Sequence, residues 1–242
     1  MKTIVKKSLV CFIGIVAIAI FAFAVNASAD YIETFSNDNA NWLEVRTDGA
    51  GNQSSTGATW NGSDGNLPGC ISGVLSSSSS NLLYGFQPTV LTPYGDLTGM
   101  TMTADFKTDG SVTGPEGAKV RFYVGGWSGG SNYYVSNDTY SWDPNGDTSW
   151  TTHQVALDAA NFEVWPNQNA GSETFAQIIA APDDIGLVFA DGFTNNANLG
   201  FTGSGTISVD NFGTVVPEPG TLTLLSLAGL AMIWIRRRKS SG

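Results

Sequence analysis

Eight aromatic side chains crowd the segment 122–150: Phe122, Tyr123, Trp127, Tyr133, Tyr134, Tyr140, Trp142 and Trp150. Flat rings stack on the apolar C–H face of a pyranose, and nearby Asn, Asp and Gln side chains supply partners for its hydroxyls. Trp127 lies in Gly125-Gly126-Trp127-Ser128-Gly129-Gly130, a stretch too glycine-rich to bury an indole well. Trp142 stands beside the turn Asp143-Pro144-Asn145-Gly146-Asp147. With Tyr133 and Tyr134, these two make the expected carbohydrate-binding set. The competing reading is ordinary, since Trp and Tyr mostly serve as core and turn-packing residues.

Other chemistry has little to work with. His153 is the single histidine, and no Gly-x-Ser-x-Gly elbow accompanies it. Cys11 lies in an N-terminal apolar run, so Cys70 is the one thiol left beyond it, without a disulfide partner and read as a buried small side chain. No zinc-type His/Cys set and no phosphate-binding loop occur. The 143–147 turn spaces its oxygens as a Ca²⁺ loop does, but Thr148 replaces the Gly and Gln154 the bidentate Glu that such a loop needs. A glycosidase carboxylate pair is invisible in a sequence this rich in acids. The expectation is a protein that is not an enzyme.

The elements that would position these groups are strands. Residues 100–107 alternate apolar and polar, as do 119–124 with Val120, Phe122 and Val124 inward. Residues 150–157 place Val155 and Leu157 inward, 185–189 are nearly all apolar, and 206–215 put Ile207 and Val209 on one face. Gly/Asn/Ser/Asp loops are expected at 47–66 and 190–204, and a helical turn or two only at 158–162 and 173–180. Many strands with turn-rich connections predict an all-β antiparallel sandwich of the jelly-roll kind.

Both ends differ from this middle. Lys2, Lys6 and Lys7 precede an apolar run at 9–25, and Ala27-Ser28-Ala29 fits a cleavage site before Asp30, which marks 1–29 as a signal peptide. Residues 216–242 run from Val-Pro-Glu-Pro-Gly into an apolar segment, 222–235, closed by Arg236, Arg237, Arg238 and Lys239. That basic cluster should stay on the cytoplasmic side as a membrane-retention element. At 1.5 Å per residue the apolar run spans roughly 21 Å, short of a ~30 Å hydrocarbon core. The sandwich domain is then 30–215, where twenty carboxylates face only Arg46, Lys107, Lys119 and Arg121, a formal charge near −16. Such a surface repels nucleic acid and suits Ca²⁺ or neutral glycans.

The order Pro217-Glu218-Pro219, apolar segment, basic end resembles the PEP-CTERM sorting signal of Gram-negative bacteria. The resemblance implies a membrane-inserted precursor processed by an exosortase-type enzyme, then delivery to the cell surface or outside, in bacteria that usually also make exopolysaccharide. Asp64-Gly65-Asn66-Leu67-Pro68-Gly69-Cys70-Ile71 looks like the opening of laminin-B-like domains, with Cys70 in place of an aromatic and the second Gly shifted. Tyr94-Gly95-Asp96-Leu97-Thr98, the Trp150-to-Leu157 strand and Ile207-Ser208-Val209-Asp210-Asn211-Phe212 are similar to segments of that family and of carbohydrate-binding jelly rolls. In such folds an acid on the first strand and one on the last often hold a structural Ca²⁺. Here the matching residues are Glu33 and Asp210. Two functions follow as expectations: binding of extracellular polysaccharide, or a structural, adhesive role in an extracellular matrix or biofilm.

Overall fold

A computed structural model describes residues 30–47, 53–66, 69–75, 82–88, 94–113, 119–125, 132–169, 171–189 and 201–216. The signal peptide, Trp127, Pro217, Glu218, Pro219 and the basic cluster 236–239 lie outside the described residues.

The strands in chain order are β1 (Tyr31–Glu33), β2 (Trp42–Thr47), β3 (Gln53–Gly57), β4 (Thr59–Asn61), β5 (Cys70–Leu75), β6 (Leu82–Pro88), β7 (Thr101–Thr113), β8 (Val120–Gly125), β9 (Asn132–Ser136), β10 (Thr151–Ala156), β11 (Phe162–Asn169), β12 (Asp184–Phe189) and β13 (Thr202–Val215). Among the described residues there is one α-helix, α1 (Phe175–Ala180), with a capping box between Thr174 and Gln177. One sheet runs β10-β7-β13-β5-β4, with β1 also on β13; the other runs β11-β9-β8-β12-β6-β2-β3. Among the described residues every strand pair is antiparallel, and the chain passes repeatedly between the two sheets, which makes the expected β-sandwich.

The core follows from strand alternation. Val120, Phe122 and Val124 of β8 meet Met102, Ala104 and Phe106 of β7, Ile207 and Val209 of β13, and Ile185, Leu187 and Phe189 of β12. Phe106 and Phe189 pack edge-on at 6.3 Å, and Phe86 meets Phe189 at 5.6 Å. Each such ring taken fully from water contributes roughly 1.5–3 kcal/mol. Close approach explains two of the glycines: a Cβ at Gly205 would sit 1.7 Å from the Asp109 carbonyl oxygen, and one at Gly110 2.1 Å from that of Ser204.

Three expectations need correction. The loop at 47–66 contains strands β3 and β4, because pairing to β2 and β5 carries the polar residues Gln53 to Gly57 and Thr59 to Asn61 along sheet edges. Residues 158–162 form a turn that enters β11 rather than a helical turn. The closing strand starts at Thr202, four residues before its expected first residue.

On the outer face of the six-stranded sheet, Asp105 and Asp210 stand opposite each other and are 5 % and 0 % exposed. Asp105 accepts hydrogen bonds from Asn66 Nδ2 (2.7 Å), Asn211 Nδ2 (2.7 Å) and Thr152 Oγ1 (2.5 Å). Asp210 accepts from the backbone N–H groups of Asn66 and Asn211. Asp64 and Asn66, from the stretch that resembles a laminin-B-like opening, therefore clasp this face. Lys107 Nζ and Trp150 Nε1 both donate to Asp64 at its rim, which holds the Asp64 carboxyl below its ordinary value. Asp105→Ala orphans three donors and should lower unfolding free energy by about 3 kcal/mol, read by urea denaturation.

Candidate carbohydrate-binding face

The seven-stranded sheet turns a second set of residues away from the core. Along β8, Arg121 and Tyr123 alternate with the inward Phe122 and Val124. Tyr133 and Val135 do the same on β9, and Asp184, Gly186 and Val188 on β12. With Trp165 of β11 and Val45 of β2, the residues Tyr123, Val135 and Val188 form an apolar cluster of their own, against which Tyr133 packs. The cluster crosses the strands rather than following one of them.

Glycines make this possible. Gly125 is opposite Tyr133 and Gly186 opposite Tyr123. A Cβ at Gly125 would fall 2.3 Å from the Tyr133 ring, and one at Gly186 2.6 Å from Tyr123 Cε1. Both tyrosine rings therefore lie over backbone that carries no side chain. Trp165 completes the group at 6.0 Å from Tyr123 and 6.1 Å, nearly perpendicular, from Tyr133.

Polar groups flank the rings at both ends. At one end, Asp184 accepts from the hydroxyls of Tyr123 (3.0 Å) and Tyr133 (3.4 Å), and Gln87 accepts from Tyr123 at 3.4 Å. Burial first, then the Asp184 carboxylate, push the Tyr123 hydroxyl well above its ordinary pKa, so it remains a neutral donor. At the other end, Arg121 is buried and donates to the Ser136 carbonyl, to Glu163 (2.6 Å) and to Asp138. The face thus offers hydroxyls, an amide and carboxylates, with its one guanidinium already engaged by two acids.

The structure separates the residues expected from sequence. Tyr133 lies on this face and is half-buried. Tyr134, one residue on, points the opposite way into the core, where its hydroxyl donates to the Glu173 carbonyl and its ring meets Phe175. Trp142 also belongs to the core: an isolated bridge to Val120 draws it inward, and its indole stacks on His153 at 4.0 Å. Neither is placed to stack on a sugar. Tyr123, Trp165, Asp184 and Gln87 were not among the expected site residues. A glycine inside the strand Ile185-Gly186-Leu187 was the available signal, because a strand interior keeps glycine where something must approach closely.

His153 Nε2 donates to Asp147 Oδ2 at 2.7 Å, a contact that ties β10 to the 144–147 turn. Cys70 is fully buried, and burial raises its pKa to about 11. The thiol is therefore protonated at neutral pH. Glu33 and Asp210 lie on the paired strands β1 and β13. Glu33 Oε1 accepts from the Phe35 N–H, and both Asp210 oxygens accept backbone N–H groups. Two carboxylates are far from the six to eight oxygens of a Ca²⁺ shell, and among the described residues no three His, Cys, Asp or Glu side chains group as a metal site.

Comparison with known proteins bears on the tail and on the fold. Residues 215–239 match the family model described as the PEP-CTERM protein-sorting motif. The chain carries a PEP-CTERM sorting signal. Such a signal marks an exported, membrane-passing protein subject to exosortase processing. The PEP-CTERM match begins at Val215, the last residue of β13. No curated protein matches the sequence. The fold is similar to a family 11 carbohydrate-binding module of the cellulosomal cellulase Lic26A-Cel5E of Clostridium thermocellum, with a TM-score of 0.50 and 17% identity over 78% of this chain and 96% of that one. The L4b domain of human laminin alpha-2 matches with a TM-score of 0.42 and 12% identity, covering 76% of this chain and 97% of that one. The CBM22-1–GH10 modules of a Clostridium thermocellum xylanase, complexed with xylohexaose, match with a TM-score of 0.40 and 10% identity over 77% of this chain and 28% of that one. Among the described residues no helix is long and apolar enough to cross a membrane, and the apolar runs 9–25 and 222–235 lie outside them.

Two measurements check the site. Cys70 should react with Ellman's reagent at pH 8 only after denaturant is added; rapid labelling of the native protein would contradict its burial. Glu33 and Asp210 already accept backbone N–H groups, so EDTA should leave the melting temperature unchanged. A fall of several degrees would instead support Ca²⁺ at these two residues.

Proposed function

We propose that this PEP-CTERM protein is a non-catalytic module that binds extracellular polysaccharide on the outer face of its seven-stranded sheet. One observation carries the reading: Tyr123, Tyr133 and Trp165 converge on glycine-bared backbone with Asp184 and Gln87 at their edge. Aromatic planes beside hydroxyl partners are what a pyranose requires. The charge balance favours a neutral polymer. Arg46, Lys107 and Arg121 already sit in ion pairs with Glu44, Asp64, Asp138 and Glu163, which leaves little to attract an anionic chain. Delivery outside the cell by the sorting signal puts such a module where exopolysaccharide is found.

A structural or adhesive role in a matrix is the second reading, and one observation favours it. Tyr123 and Trp165 are only 4 % and 3 % exposed, so Tyr133 is the ring of the three that a ligand reaches directly.

Affinity electrophoresis of the processed protein through hydroxyethyl cellulose, soluble xylan and galactan decides between them, with alginate as the anionic control. Retention by a neutral polymer, weakened about tenfold by Tyr133→Ala, is expected; one lost stacking contact of about 1.4 kcal/mol corresponds to that factor. Trp142→Ala should lower the melting temperature without a specific loss of binding. No retention in any gel would favour the matrix role.

A further inference from the structure

The chain ends leave the sandwich at one end. Val216 N–H donates to Asp30 Oδ1 at 2.8 Å, and β1 pairs Tyr31 with Thr214. On the other side of β13, Val215 pairs with Thr101, the first residue of β7. The Tyr133–Asp184–Gln87 patch lies at this same end. Gly125, the last residue of β8, is opposite both Tyr133 and Asp184, and Asp184 is the first residue of β12. Helix α1 leads directly into β12, and its Ile179 carbonyl accepts from Leu97 N–H, just before β7 begins. Gln87 is the penultimate residue of β6, beside Pro88, which pairs with Trp42 at the start of β2. Trp42 in turn packs on Phe212 of β13 at 4.8 Å. The Arg121–Glu163–Asp138 cluster occupies the opposite end of the face.

Chain length limits how far this end stands from a membrane. Only residues 217–221 separate Val216 from the apolar run that starts at Leu222. The six Cα–Cα steps from Val216 to Leu222 span at most about 22 Å. A precursor whose tail sits in the bilayer must therefore hold the end bearing Tyr133, Asp184 and Gln87 within that distance of the lipid surface.

We infer that removal of the PEP-CTERM tail also switches on polysaccharide binding, because the uncut tether turns the Tyr133–Asp184–Gln87 end of the face toward the membrane and denies it to long polymers. The inference rests on the binding face proposed above. The obstruction is steric, so a short oligosaccharide still diffuses in while a polymer does not. Tail removal then orders events: the module engages matrix polymer only after it has left the membrane.

The test uses the chain from Asp30 onward, its signal peptide removed, reconstituted in liposomes. Residues 217–221 are replaced by a five-residue protease site that keeps the tether length, and a second version has twenty additional Gly/Ser residues there. Fluorescent hydroxyethyl cellulose, soluble xylan and galactan are the probes, each as polymer and as hexasaccharide. The anchored short-tether form should bind polymer at least tenfold more weakly than the protease-released form, with equal hexasaccharide binding. The long-tether form should bind polymer like the released one while still anchored. Equal polymer binding by the anchored short-tether and released forms would overturn the switch and leave the binding face intact. A released form that binds no probe would overturn both.

Discussion

Two carboxyl groups buried side by side are the constraint around which this fold is arranged. Asp105 and Asp210 oppose each other on its longest strand pair, where burying such polar groups carries a cost in lost hydration. Five hydrogen bonds from Asn66, Asn211 and Thr152 offset that cost. To supply them, Asn66 must reach over the sheet, and β13 must bulge at Asn211, whose φ is +47°. Past that bulge β13 pairs with β1, which brings the two chain ends together. The carboxylates thus link the clasp, the bulge and the seam between the ends.

The opposite sheet is organised by a different economy of space. Its inward residues on β8 and β12 are apolar, while the outward side sets Gly125 opposite Tyr133 and Gly186 opposite Tyr123. Gly125 and Gly186 let Tyr133 and Tyr123 lie close to the backbone, and Asp184 fixes both hydroxyls from one side. The rings gain definition from this arrangement at some loss of reach. A rigid floor with one accessible ring and a polar rim suits weak, repeated contacts along a polymer. His153 is stacked against Trp142, and Cys70 is sealed within the fold.

Much of the fold was legible in the sequence because alternation is a local signal. The 100–107, 119–124 and 206–215 patterns place Met102, Phe122 and Ile207 inward as the structure has them. Edge strands were less legible, since Gln53 to Gly57 carry no apolar face and owe their form to pairing with β2. The site was the least legible. Aromatic density near 122–150 pointed to β8 and β9, but Tyr133 and Tyr134 differ only in which side of the pleat they occupy. Trp142 looked exposed beside a turn, yet its bridge to Val120 is a long-range pairing that spacing does not reveal. Trp165 and Asp184 join the cluster through registers between distant strands. The tail needed no fold to be read, because its signal is a linear order of residue types.

The central claim is that the glycine-bared tyrosine face of the seven-stranded sheet is where polymer binds. Its most direct test is a titration of neutral oligosaccharide into the isotopically labelled, processed protein, followed residue by residue by NMR. The account predicts shifts concentrated at Tyr123, Tyr133, Asp184, Gly186 and Gln87, with the opposite sheet unmoved. Shifts clustered instead around Trp150, Thr152 and Asp64, or none at saturating sugar, would contradict it.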